Sequence, residues 1–89
     1  MTGDADAELA AGRTRLGAAL RARREDAGLT RRRMSEMTGV GYDSLFSIEA
    51  GRRLPNLSTL YKISRALDTT PRELLAGIDP WDGASASSE

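Results

Sequence analysis

Apolar residues along this chain fall in short runs at helical spacing, broken by glycine, proline and threonine, and no stretch alternates convincingly as a strand. The pattern is densest from Leu29 to Pro55, LTRRRMSEMTGVGYDSLFSIEAGRRLP. Two apolar-periodic segments flank Thr38-Gly39-Val40, and the second is closed by Gly51 and two arginines. Each segment opens abruptly, with an apolar residue before a capping-type position and another four places inside. Leu29 can thus staple to Met34 across Thr30, and Val40 to Leu45 across Gly41. In the second segment Leu45 and Ile48 share a face with Val40, while Tyr42, Asp43, Ser44 and Ser47 fall on the other. The pattern predicts two short helices joined by a tight turn, a helix-turn-helix. Its outward face of short polar side chains and one tyrosine suits a surface that meets something.

The remaining segments complete an all-α fold of five helices. The first is predicted from about Leu9 or Arg13 to Ala27, with Leu16 and Leu20 inward and Gly28 as a left-handed stop. The acidic, alanine-rich lead-in Asp4 to Ala11 can extend it by a turn or two, although Gly12 opposes this. The second helix covers about Arg31 to Thr38 and the third about Tyr42 to Ala50. Pro55-Asn56 opens a fourth, about Leu57 to Leu67, with Leu60, Ile63, Ala66 and Leu67 as its apolar stripe. Thr70-Pro71-Arg72-Glu73 opens a short fifth, combining an N-cap, proline at the first helical position and a capping-box glutamate. Beyond Leu75 the composition turns to Gly, Ser, Ala and Asp. The expected organisation is an acidic arm over 1–12, one compact domain over 13–78 and a largely disordered tail over 79–89.

Charge changes this picture only when it is divided by position. Thirteen basic and thirteen acidic residues cancel. All the basic ones lie between Arg13 and Arg72, and residues 13–76 hold only seven acids, a surplus of six positive charges. Asp4, Asp6, Glu8, Asp79, Asp82 and Glu89 in the tails supply the compensating negative charge. A basic body between acidic tails can attract phosphates on one face while weakening non-specific binding overall.

Composition also excludes. The chain has no cysteine and no histidine. It therefore has no disulfide framework, no thiolate metal site and neither the commonest metal ligand nor the commonest general base. It also has no recognisable phosphate-cradling glycine loop. An enzyme, a metal site and a cofactor are all unexpected. No run approaches the roughly 18 apolar residues of a membrane span, and Met1 to Glu8 is acidic where a signal peptide would be basic. A cytoplasmic protein is expected. Eighty-nine residues make one domain, and a chain this short buries only about 60% of its unfolded surface, so dimerisation would help its small core.

Arg24, Gly28-Leu29-Thr30, Met34-Ser35-Glu36, Thr38-Gly39-Val40, Leu45, Ile48-Glu49, Gly51, Pro55, Thr59-Leu60, Lys62-Ile63 and Ala66-Leu67 together resemble the lambda-repressor-like family, the phage repressors and xenobiotic-response-element (XRE) regulators. The match runs without a gap from about Leu16 to Leu75. The resemblance implies double-stranded DNA as partner, with the third helix in the major groove and base contacts from Gly41, Tyr42, Asp43, Ser44 and Ser47. Asp43 either accepts from a cytosine amino group or supports its own helix start through the dipole. Tyr42 either reaches DNA, the favoured reading, or packs on the second helix. Phosphate contacts are expected from Thr30, Arg31, Arg52, Arg53 and Asn56, with Arg24 as a secondary candidate, whereas Arg32 and Arg33 read as a solvated helix face. In relatives the loop matching Gly51-Arg52-Arg53 meets phosphates through main-chain amides as well as basic side chains. Arg24 and Glu49 match positions that form a structural ion pair in relatives. Ser35 stands where alanine is usual and fits if its hydroxyl bonds back to its own helix.

One short recognition helix supplies too few base contacts alone, so a two-fold homodimer on a palindrome is expected. The candidate dimer patch is Leu74, Leu75, Ile78 and Trp81, although Trp81 could instead fold back on its own core. At this length no small-molecule ligand domain is expected. Family habit favours repression over activation. The rival reading is an antitoxin or adaptor that binds a partner protein, with DNA binding secondary.

Overall fold

The computed structural model describes residues 2–76 and 78, with side chains from Ala5 onward. Five helices follow in chain order, α1 (Thr2–Asp26), α2 (Arg31–Thr38), α3 (Tyr42–Glu49), α4 (Leu57–Ala66) and α5 (Pro71–Leu75). The described residues contain no strand. Three helix starts have side-chain caps. Thr30 accepts from the Arg33 amide at 3.0 Å, Asn56 from Thr59 at 2.8 Å and Thr70 from Glu73 at 3.2 Å, each satisfying a donor that the first helical turn leaves open. Gly41, which opens α3, makes no side-chain cap.

The core is built from Leu16, Leu20, Met34, Val40, Leu45, Ile48, Leu60, Ile63 and Leu74, with Leu29, Leu54, Leu67 and Ile78 packed against it. Leu29 with Met34 and Val40 with Leu45 thus anchor the entries of α2 and α3 on one apolar centre. The core contains Leu74, 1% exposed, because α5 packs against both α1 and α4. Leu74 is therefore not available to a second subunit, a correction to the expected dimer patch. Ile78 is partly buried on the same core, Leu75 keeps surface, and Trp81 lies outside the described residues.

The first helix begins at Thr2, so it takes in the acidic lead-in expected as an extension, and it passes through Gly12 without a break. Its buried positions show how Gly12 is accommodated. Gly12, Leu16, Leu20 and Arg24 are spaced by four and make one buried line, with Gly17 beside it. A side chain at Gly12 would collide with the Ile78 carbonyl, and a Cβ at Gly17 would stand 2.5 Å from the Ile48 carbonyl oxygen and 2.6 Å from that of Glu49. These two glycines are places of backbone contact: at Gly17 α1 lies directly on the C-terminal end of α3, and at Gly12 on Ile78. Arg15 donates to the Ile78 carbonyl at 2.7 Å, tying the segment after α5 to the same helix.

Ser35 differs from expectation. Its hydroxyl donates to the Val40 carbonyl at 2.6 Å, across the turn, and it is Thr38 that bonds back to its own helix, at Met34 O, 2.8 Å. The left-handed Gly39 (φ 76°) folds the chain so that the Val40 carbonyl comes within reach of α2.

Replacing Gly17 by alanine tests the close approach. An exposed mid-helix glycine would gain about 1 kcal/mol from this change. Here the collision with two backbone carbonyls is expected to lower stability by about 1–3 kcal/mol in a urea or thermal melt. An unchanged or raised midpoint would contradict it.

Candidate nucleic-acid interface

Glu49, the last residue of α3, has a side chain only 4% exposed. A carboxylate in that position requires compensation, and two arginines provide it. Arg24, 6% exposed on α1, grips it in a fork: Nε donates to Oε2 at 2.7 Å and a terminal nitrogen to Oε1 at 3.0 Å, while the other terminal nitrogen donates to the Leu29 carbonyl at 2.7 Å. Arg31, the first residue of α2, donates its Nε to the same Oε1 at 2.9 Å. One negative and two positive charges leave the cluster with a net positive charge. The hydrogen bonds with Glu49 first, and with Tyr42 second, hold the Arg31 guanidinium above the ordinary arginine value, so it stays cationic.

Arg31 also extends sideways. A terminal nitrogen lies 3.5 Å from the Tyr42 hydroxyl, and its guanidinium carbon stands 5.2 Å from the centre of the Phe46 ring. The guanidinium of Arg52, in the loop after α3, stands 5.8 Å from the same ring. Glu49, Arg31, Phe46 and Arg52 thus form a connected array joining the start of α2, the body of α3 and the following loop.

That loop is held from behind. Arg13 on α1 donates Nε to the Gly51 carbonyl at 2.8 Å, and Gly51 takes φ 77°, with Thr14 filling the space a Cβ would need. The Gly51 and Arg52 amides close the end of α3 on Ile48 O at 3.1 Å and Ser47 O at 2.9 Å. These two amides are committed to the protein. Asn56 likewise uses its side-chain oxygen in the α4 cap, so an anion would have to be met by its amide nitrogen.

The residues named for base contact lie at the N-cap and along α3 and all keep some exposure. Gly41, Tyr42 and Asp43 are exposed and Ser44 and Ser47 half-buried, while Leu45 and Ile48 point into the core. Tyr42 keeps 47% of its surface exposed while touching Arg31, and Asp43 sits in the first turn of α3, where its charge meets the positive end of the helix. Arg31 and Arg52 border α3 through Phe46, Thr30, Arg53 and Asn56 are exposed in the flanking segments, and Arg24 is turned inward as the partner of Glu49. Arg33 pairs at the surface with Glu36 at 3.4 Å. Phe46 is the residue the sequence reading missed. Its signal was its place between Leu45 and Ile48, which own the inward face and leave an aromatic 41% exposed.

A helix-turn-helix family model matches residues 20–74, the span that contains the capped turn, the recognition face and the arginine cluster. The chain belongs to the XRE-type helix-turn-helix family of DNA-binding transcriptional regulators. Relatives include two uncharacterised HTH-type transcriptional regulators of Sinorhizobium fredii. One, y4dJ, is 36% identical over 56 residues, covering 63% of this chain and 73% of that protein. The other, y4dL, is 36% identical over 75 residues, covering 79% of this chain but only 38% of that protein. Among solved structures, the clp gene regulator ClgR from Corynebacterium glutamicum superposes with a TM-score of 0.71 at 30% identity, covering 86% of this chain and 82% of that one.

The shared carboxylate makes its three members unequal. Glu49→Gln leaves Arg24 buried without its counter-charge and is expected to cost about 3 kcal/mol or more. Arg31→Ala leaves the Arg24 fork intact and is expected to cost less than about 1 kcal/mol. Chemical denaturation of the two variants checks this, and equal losses would contradict the arrangement.

Proposed function

We propose that this protein is a sequence-specific regulator that binds a palindromic operator as a homodimer, placing α3 in the major groove, and acts as a repressor. The observation that carries the reading is the exposed polar face of α3 bordered by arginines, with the buried carboxylate of Glu49 already shared between Arg31 and Arg24. Such a surface offers groups of base-reading length in the middle and cations at the rim, which is the division of labour duplex recognition needs. In this reading Gly41, Tyr42, Asp43, Ser44 and Ser47 meet base edges. Thr30, Arg31, Arg52, Arg53 and Asn56 meet phosphates. Leu75 is the surface residue of the C-terminal patch that a two-fold partner would cover.

One observation favours a protein partner instead. Between α2 and α4 runs a groove lined by Met37, Thr38, Tyr61, Lys62, Arg65 and Ala66, with Met37 45% and Tyr61 57% exposed. An antitoxin or adaptor would use such an apolar surface, and a cytoplasmic regulator needs no such groove to bind DNA.

The test is selection from a random duplex pool across a salt series, with an Arg52→Ala/Arg53→Ala control. Enrichment of a short palindrome is expected. The control should flatten the slope of log affinity against log salt by about 0.9 for each phosphate contact removed. No enriched sequence, or a slope unaffected by the control, would overturn the reading and turn attention to a protein partner.

A further inference from the structure

A phenylalanine on the outside of a recognition helix has no polar group to offer and loses favourable burial by being there. Phe46 is 41% exposed, and the guanidinium groups it meets, Arg31 at 5.2 Å and Arg52 at 5.8 Å, belong to two different segments, the start of α2 and the loop after α3. We infer that Phe46 is a positioning residue for DNA binding. Its ring orders Arg31 and Arg52 toward the phosphate backbone and couples them into one cationic surface. The inference rests on the DNA-binding reading above and assigns a role to a residue that touches neither base nor phosphate.

The chemistry of the contact explains why an aromatic serves better here than a carboxylate. A carboxylate fixes an arginine by consuming its N–H donors and cancelling its charge, as Glu49 does to the Nε of Arg31. A ring attracts the guanidinium through its quadrupole and leaves the donors and the charge available. Among the described residues no carboxylate lies within ion-pair distance of Arg52, so the ring is the contact that restrains that side chain without neutralising it. The ring is itself held because Phe46 sits on α3 between two core residues, Leu45 and Ile48. An arginine ordered before the duplex arrives loses less side-chain entropy on contact.

The experiment compares Phe46→Leu and Phe46→Trp with the unaltered chain, using fluorescence anisotropy on a selected duplex and on a random one, across a salt series. Thermal melts and the proton shifts of the Arg31 and Arg52 side chains in the DNA-free protein are recorded alongside. Phe46→Leu should weaken both duplexes by about fivefold, the loss expected when ordering the arginine side chains is left to the binding step. The salt slope should stay as it was, since both arginines remain, whereas Arg52→Ala reduces it. Phe46→Trp should bind as the unaltered chain does. In an Arg31→Ala/Arg52→Ala background the leucine change should have no further effect. The ring-current shifts of both arginines should vanish in Phe46→Leu while the melting midpoint holds.

Unchanged affinity in Phe46→Leu, failure of Phe46→Trp to restore it, or a full additional loss in the double-arginine background would overturn the inference while leaving DNA binding intact. If the unaltered chain binds no duplex, the DNA-binding reading falls and this inference with it.

Discussion

One buried carboxylate organises this small protein. Glu49 ends α3, and the two arginines on it come from two other helices, Arg24 from α1 and Arg31 from α2. The arrangement is stable because every charge removed from water has a partner at 2.7–3.0 Å, and Arg24 also satisfies the Leu29 carbonyl at the entry to α2. The same three residues tie α1, α2 and α3 together and leave a net positive charge at the join. Structural rigidity and electrostatic character therefore come from the same atoms.

The rest of the fold brings that carboxylate into place. Gly17 lets the backbone of α1 touch the carbonyls of Ile48 and Glu49, which brings the Arg24 fork to its target two turns further along. Met34, Leu45 and Ile48 fix the inner sides of α2 and α3, and the Ser35 bond to the Val40 carbonyl closes the turn between them. Arg13 holds the Gly51 carbonyl, so the loop carrying Arg52 starts from a defined position. In a domain with so little core, these polar ties between backbone and side chain supplement a modest hydrophobic contribution.

Much of this was legible in the sequence, for local reasons. The caps at Thr30, Asn56 and Thr70 and the left-handed glycines act within a few residues, so position alone reveals them. Contacts between segments were harder to see. Gly12 counted against extending the first helix because the Ile78 carbonyl it accommodates is far away in sequence, and Leu74 read as surface because its two packing partners are set by tertiary structure. Arg31 read as a free phosphate donor, since nothing nearby in the chain announces that Glu49 is shared. The pairing of Arg24 with Glu49 came from family resemblance, not from periodicity. The exposure of Phe46 could be read from its place between Leu45 and Ile48, but its contacts with Arg31 and Arg52 join segments that the chain does not mark as neighbours.

The central claim is that the face built around Glu49, comprising the start of α2, the outer side of α3 and the loop after it, is the surface that meets duplex DNA. Titrating the isotopically labelled protein with the duplex it selects, and following backbone amide shifts residue by residue, tests it most directly. The account predicts that the largest changes fall at Thr30–Arg33, Gly41–Ser47 and Gly51–Asn56. Changes concentrated instead along Met37, Tyr61, Lys62 and Arg65, with the α3 face silent, would contradict it.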